Sequence, residues 1–232
     1  MTSSQHNSTP HHIAIIMDGN RRWAKLKGKN ILAGHQYVAD VLIEQLIDRA
    51  IEQNILYLTF WAWSTENWHR SKTEVVGIMR LFRHLLKKNI AKLHQKGVRV
   101  RYIGNLSKFP ADIQKEFISS TKKTQANQKI TAIFALNYGG RDEIIRAINK
   151  VIRDKRSEID AGDFSAYLDT GEIPDPDMIV RTGGEKRLSG FLLWQSQYAE
   201  LYFTEVLMPD FNPDQLSKAI EEFGTRQRRF GK

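Results

Sequence analysis

The run His12-Ile13-Ala14-Ile15-Ile16 passes directly into Met17-Asp18-Gly19-Asn20-Arg21-Arg22-Trp23, and this junction constrains the chain more than any other stretch. An apolar strand meets a carboxylate, a glycine, an amide, two guanidinium groups and an indole within a few positions. Open parallel sheets take their ligands in the crevice beyond the carboxyl ends of their strands. The junction therefore predicts an anion and metal site at a strand end, provided the rest of the chain supplies such a sheet.

It does so by pattern. Further apolar, β-rich runs recur at 55–63, 98–103 and 129–136, with shorter ones at 178–181 and 201–206. Between them, Ile43, Leu46, Ile47 and Ala50 follow helical spacing, as do Val75, Ile78, Met79 and Phe82, continued by Leu85, Leu86, Ile90 and Leu93. Helices are also expected at about 110–127, 140–156 and 213–229, and residues 162–177 read as a surface excursion with a short helix. Alternating strands and helices predict an α/β fold, a mostly parallel central sheet of about six strands flanked by helices. With 232 residues, 41% of them hydrophobic, and no linker-like stretch, the chain reads as one domain over residues 11–232 after a flexible segment 1–10.

Composition removes several functions. There is no cysteine, hence no disulfide and no thiolate metal site, and no apolar run approaches the ~20 residues of a membrane span. A cytoplasmic location is the expectation. The net charge of +9 suits nucleic acid, an anionic membrane surface or a diphosphate substrate. Lys87, Lys88 and Lys92, and the tail residues Arg226, Arg228, Arg229 and Lys232, read as solvated. Arg21, Arg22, Arg70, Arg181 and Arg187 instead stand near strand ends beside Gly, Ser, Asn or Trp.

Four segments carry candidate chemistry. The first, Asp18 to Trp23, is extended by Gly34-His35 at an expected helix start, where free amides and the imidazole could receive an anion or where the histidine is simply structural. The second is Trp63-Ser64-Thr65-Glu66-Asn67-Trp68-His69-Arg70, a polar loop leaving a strand; its tryptophans fit either a site or the core. In Arg181-Thr182-Gly183-Gly184-Glu185-Lys186-Arg187-Leu188-Ser189, two guanidiniums and a hydroxyl flank a diglycine, which suits phosphate recognition or a plain hairpin. The fourth is Tyr198-Ala199-Glu200-Leu201-Tyr202-Phe203, where Glu200 requires a cation or donor partner. Asp18 and Glu200 together match the sparing use of carboxylates by Mg2+, while a salt bridge is the competing role for Glu200. Phosphate-loop, dinucleotide, nucleophile-elbow and His-Glu-x-x-His patterns are all absent. His11-His12 reads as the start of a strand.

These segments resemble, in order and over about 11–231, the cis-prenyltransferases of the undecaprenyl diphosphate synthase type; Asn137-Tyr138-Gly139-Gly140-Arg141 is a further match. The resemblance implies a homodimeric, Mg2+-dependent transferase that joins isopentenyl diphosphate to an allylic prenyl diphosphate, forms a cis double bond and releases pyrophosphate. It implies Asp18 as essential carboxylate and metal ligand, Glu200 as the second ligand, and Gly19, Asn20, Arg21, Arg22, Trp23, His35 and Arg70 around the allylic diphosphate. Arg181, Arg187, Leu188 and Ser189 would hold isopentenyl diphosphate. Asn67, with Ser64, Thr65, Glu66 and Trp68 beside it, would assist proton removal. The hydrocarbon needs an apolar tunnel, for which the helix faces at 43–50 and 75–93 are candidates, core packing being the other reading.

The chain departs from the family pattern at Ile31, where an arginine is usual, and at Val38, Ser71 and Gly190. Lys27 or Lys29 could supply a point charge near Ile31, though not a bidentate fork. These departures leave open a specialised short-chain or irregular synthase, or a non-catalytic partner subunit. Product release implies peripheral contact with a membrane, and no motif for reading nucleic acid is present.

Overall fold

The computed structural model describes residues 9–226. Apart from Thr9 and Pro10, the expected flexible segment lies outside the described residues, as do Arg228, Arg229 and Lys232. Six strands form one all-parallel sheet: β1 (His12–Ile16), β2 (Tyr57–Ser64), β3 (Val98–Ile103), β4 (Ile130–Tyr138), β5 (Met178–Arg181) and β6 (Glu200–Phe203), in the order β3-β4-β2-β1-β5-β6. Eight α-helices flank it: α1 (Asn20–Leu26), α2 (Ala33–Tyr37), α3 (Ile43–Glu52), α4 (Lys72–Gln95), α5 (Ala111–Thr124), α6 (Gly140–Arg153), α7 (Ala161–Tyr167) and α8 (Pro213–Thr225).

β1 is buried on both faces, the condition under which a parallel strand is a continuous apolar run. Ile13 and Ile15 pack with Leu46 and Ile47 of α3 and Leu216 and Ile220 of α8; Ala14 and Ile16 pack with Ile179 and Phe191 on the other side. Ile16 lies opposite Trp61 of β2 and Arg181 of β5. From β1 the chain moves to one side to build β2, β4 and β3, then returns to the other side for β5 and β6. β1 and β5 thus border the switch point of the sheet, and the polar turn after Ile16 opens there.

The expected excursion contains α7 and is fastened at its far end. The amides of His11 and His12 donate to Asp177 Oδ2 at 2.8 and 3.1 Å. His12 Nδ1 lies 2.7 Å from the Pro174 carbonyl, which can only accept, so Nε2 accepts from the Thr59 hydroxyl at 2.7 Å. His12 is therefore a structural residue at the start of its strand. Among the described residues no helix is long and apolar enough to cross a membrane.

Candidate active site

The turn after β1 is fixed by its backbone. The Asp18 carbonyl accepts from the Met208 amide at 2.9 Å and from the Thr182 hydroxyl at 2.7 Å. Gly19 has φ +105°, and a Cβ there would lie 2.9 Å from Leu207, so conformation and space both call for glycine. The carboxylate is left at the crevice mouth. Its Oδ2 accepts from Arg181 Nη2 at 3.1 Å, and Oδ1 is 3.3 Å from Arg22 Nη2. Gly183 packs so closely that a Cβ would meet Arg22 Nη2 at 2.5 Å, which explains half of the diglycine.

A crevice opens beside this turn, bordered by Asp18, Gly19, Asn20, Arg21, Arg22, Lys25, Lys29, Ile31, His35 and Arg70. Asp18 is the single carboxylate against five cationic side chains on that border. Lys29, not Lys27, is the lysine brought to the position of Ile31. Glu74, which sequence reasoning missed, organises the arginines: only 6% exposed, it accepts from Arg70 Nη1 at 2.9 Å and lies 3.8 Å from Arg21 Nε. Sequence marks it only as the first-turn acid of the helix start Ser71-Lys72-Thr73-Glu74, where the Ser71 hydroxyl accepts from the Glu74 amide.

His35 stands on α2, whose glycine neighbour Gly34 lies against α1: a Cβ on Gly34 would approach the Asn20 carbonyl to 2.3 Å. His35 Nε2 and Asn20 Oδ1 are both buried with no hydrogen-bond partner among the described residues. Burial, then Arg70 and Arg21, push the His35 imidazole down to about 4, so it is a neutral donor at ordinary pH. Burial likewise holds His12 at about 4. The unfolded chain, with imidazoles near 6.5, takes up protons that the folded chain refuses. Stability is accordingly level above ~pH 7 and falls as pH drops from about 6.5 toward 4, by roughly 2 kcal/mol per histidine at ~pH 5. Denaturant titrations across that range check this, and inorganic pyrophosphate should recover the His35 share.

The segment after β2 is not an open loop. Residues Thr65–His69 form a 3-10 turn, locked because Asn67 Oδ1 accepts from the Ser64 amide at 3.1 Å while the Ser64 hydroxyl caps the turn in return. Thr65 Oγ1 donates to Glu66 Oε1 at 2.8 Å. Partial burial raises the Glu66 carboxyl, but hydrogen bonds from Thr65 and Ser64 outweigh it and leave the group below its ordinary value. Trp68 packs away from the crevice, donating to Asn137 Oδ1 at 2.7 Å and meeting Trp63 edge-on. Trp23 does the same, donating to Asp210 Oδ1 at 2.9 Å and stacking on Tyr37. Both indoles shape the walls from behind.

Beside Asp18, Arg181, 6% exposed, donates to the Arg187 carbonyl and to Ser189 Oγ at 2.8 Å as well as to the Asp18 carboxylate. Its Nε is buried without a partner among the described residues. Leu188 packs against the core around Phe191. The Arg187 guanidinium is 60% exposed, paired with Glu185 and free to swing.

Glu200 stands apart from the other candidate residues of its own chain. Within one chain it does not join Asp18, because Glu200 begins β6 whereas Asp18 follows the end of β1. Glu200 and Ile13 both lie opposite Met178, so at ~3.3 Å per residue the two carboxylates are separated along the strands by on the order of 15 Å. The salt-bridge alternative is the one realised, with Arg226 Nη1 at 2.9 Å.

Behind the crevice an apolar cavity runs between the sheet and α4. Met17, Asn20, His35 and Arg70 border both spaces, so the two adjoin. Trp61 and Trp63 reconcile their alternatives: Trp61 stacks on Phe191, Trp63 is 1% exposed, and both border this cavity. Phe82, Leu85 and Ile90 of α4 face it as well, whereas Leu46, Ile47 and Ala50 of α3 are plain core.

Comparison with known proteins agrees with this arrangement. The family described as "Putative undecaprenyl diphosphate synthase" matches residues 16–231. An isoprenyl transferase of Chlamydia trachomatis is 44% identical, over 98% of this chain and 94% of that protein. The structure of lavandulyl diphosphate synthase from Lavandula x intermedia, in complex with dimethylallyl diphosphate, superposes with a TM-score of 0.92 at 36% identity, covering 97% of this chain and 99% of that one. A probable undecaprenyl diphosphate synthase from Campylobacter jejuni gives 0.83 at 36% identity, covering 97% and 100%.

Proposed function

The chain belongs to the undecaprenyl diphosphate synthase family of prenyltransferases, and from that membership we propose that it condenses isopentenyl diphosphate with an allylic prenyl diphosphate to give a Z-polyprenyl diphosphate and pyrophosphate. One observation carries this reading: a cationic crevice adjoins an apolar cavity, a pairing that suits a ligand with a diphosphate head and a hydrocarbon tail. Each isoprene unit buried there contributes about 4 kcal/mol, at ~0.8 kcal/mol per carbon.

In this mechanism Arg21, Arg22, Arg70 and His35 bind the allylic diphosphate, with Gly19 and Asn20 lending backbone and amide. The bond from the allylic carbon to its bridging oxygen breaks, and the preplaced guanidiniums meet the charge that develops on the departing pyrophosphate. Arg181, Arg187 and Ser189 hold isopentenyl diphosphate so that its terminal alkene carbon joins the allylic carbon, a positioning task. Asn67, fixed by Ser64, guides loss of the proton from the adjoining methylene, and Glu66 is the neighbouring carboxylate to accept it.

Mg2+ fits this donor set in one way. Among the described residues no group of three or more His, Asp or Glu could cage an ion. Asp18, partly exposed at the crevice mouth, suits an ion that arrives with phosphate oxygens. Such an ion would neutralise diphosphate charge there. Glu200 could add to it only across an interface between two copies. A homodimer is supported by the apolar outer stripe of α6, where Ile145, Ile148 and Ile152 are 57%, 40% and 65% exposed. The apolar product gives the reason for peripheral membrane contact in an otherwise cytoplasmic enzyme. Nucleic acid is not proposed as a partner, since Arg226 is held by Glu200 and Glu222.

The test is incubation with isopentenyl diphosphate, Mg2+ and dimethylallyl, geranyl or farnesyl diphosphate, followed by mass analysis of lipid and pyrophosphate. No turnover with any primer overturns the enzymatic reading and favours a partner subunit. A second reading, a short-chain or irregular synthase, is favoured by Ile31 on the crevice wall and by the closer superposition on lavandulyl diphosphate synthase. A single condensation, or joining of two dimethylallyl units, would select it. In the regular enzyme, Arg187→Ala raises KM for isopentenyl diphosphate about tenfold and leaves the allylic KM within about twofold, as steady-state kinetics in each substrate would read.

A further inference from the structure

Asn89 interrupts the apolar face that α4 turns toward the cavity. Ile78, Leu81, Phe82, Leu85, Leu86, Ile90 and Leu93 follow helical spacing along the cavity wall, and Asn89 is the one polar residue of α4 among them. Its Nδ2 donates to the Ala39 carbonyl at 3.0 Å. The opposite amide orientation would set two oxygens against each other, so the direction of this bond is fixed by chemistry. Its Oδ1 is buried with no partner among the described residues. Ala39 lies in a π-helical turn, Val38–Leu42, that joins α2 to α3 and borders the cavity. Such turns are costly inserts that concentrate at functional positions.

We propose that Asn89 is a specificity-determining residue that limits product length by clamping α4 to this π turn. The proposal rests on the reading of the cavity as the hydrocarbon site. Arg70, at the mouth, precedes α4, and Asn89 lies about 16 Å beyond Ile78 along the helix axis at ~1.5 Å per residue, toward the distal end. At that depth Glu44 also borders the cavity, and its salt bridges to Lys92 and Lys96 tie α3 to α4. On this proposal a chain growing past Asn89 toward Leu93, the last residue of α4 to border the cavity, parts α4 from the π turn. That breaks the Asn89–Ala39 bond and leaves a buried amide and a buried carbonyl unpaired against hydrocarbon. Elongation is easy along the apolar wall and is opposed where the wall turns polar and is pinned.

The test is product length by mass analysis for wild type, Asn89→Leu and Asn89→Met with isopentenyl diphosphate and Mg2+, using dimethylallyl, geranyl and farnesyl diphosphates as primers. Wild type should stop at the same final length from every primer it accepts, because the clamp stands at a fixed depth. Both variants, apolar and of similar bulk, should shift the distribution upward by at least one isoprene unit. Products of unchanged or shorter length from the variants overturn the proposal, as does a wild-type final length that rises in step with the primer. The primer series can overturn the proposal even if neither variant folds. Absence of any wild-type product overturns the prenyltransferase reading itself, whereas an active wild type with unaltered variants removes the clamp alone.

Discussion

Asp18→Ala should lower kcat by about 10³-fold or more while the protein remains folded. The carboxylate is the single anionic group on the border of the cationic crevice. On the proposed role, Asp18 would hold the Mg2+ that offsets charge developing on pyrophosphate, and losing electrostatic stabilisation of that kind typically costs about 10²–10³-fold or more. Stability should change little. Asp18 is 32% exposed, and Arg181 keeps its bonds to the Arg187 carbonyl and Ser189 when Asp18 is gone. Partly exposed ion pairs contribute about 1 kcal/mol or less. A third readout separates charge from shape. Removing a carboxylate from a crevice of five cations should strengthen binding of metal-free inorganic pyrophosphate, by about tenfold for a ~1.4 kcal/mol repulsion relieved at short range. Asp18→Asn keeps an acceptor for Arg181 but not the charge, and should resemble Asp18→Ala in turnover. Turnover of Asp18→Asn within about threefold of wild type would remove Asp18 from its proposed role.

The sheet was legible because parallel strands covered on both faces are continuous apolar runs. The reading 12–17, 55–63, 98–103, 129–136 and 178–181 differs from the observed strands by two residues or fewer at each end. Register was not legible. The runs 12–17 and 201–206 set Asp18 after one strand and Glu200 before another, opposite ends in a parallel sheet, but only the pairing of β1, β5 and β6 fixes how far apart they lie. Trp23 and Trp68 carry no sign in the sequence of the acceptors their indoles reach, Asp210 and Asn137, which come from distant parts of the chain. Glu74 and Asn89 were hidden for a related reason. One looks like an ordinary first-turn acid and the other like a break in an apolar stripe, and their roles come from Arg70 and from a π turn that a single extra residue creates. Local chemistry reads well from sequence; which distant group completes it does not.

Arg181 is where stability and binding should fail together. It ends β5 beside β1, almost wholly buried, and holds three acceptors at once: Asp18 after β1, and the Arg187 carbonyl and Ser189 hydroxyl of its own following turn. Arg181→Ala leaves those acceptors facing a void at the switch point of the sheet. Losing three charge-assisted hydrogen bonds, each discounted to about 1–1.5 kcal/mol for partial exposure, costs about 3–5 kcal/mol. For a domain of this size that should lower Tm by roughly 6–20 °C, read by thermal unfolding. Arg181→Lys isolates the binding part. A lysine ammonium supplies the charge, but as one point it cannot span Asp18, Ser189 and a backbone carbonyl, nor replace the unpartnered Nε donor that a substrate oxygen would take. Its fold should survive with a smaller loss of Tm, while KM for isopentenyl diphosphate rises about 10- to 100-fold, the effect of losing one or two charge-assisted hydrogen bonds. The allylic KM should move less, because Arg21, Arg22 and Arg70, not Arg181, border the cationic crevice. An Arg181→Ala protein that melts within a degree or two of wild type would mean that the guanidinium is not the tie between β1 and the diglycine turn. An Arg181→Lys enzyme with equal changes in both KM values would mean that the two diphosphates are not held by separate residues.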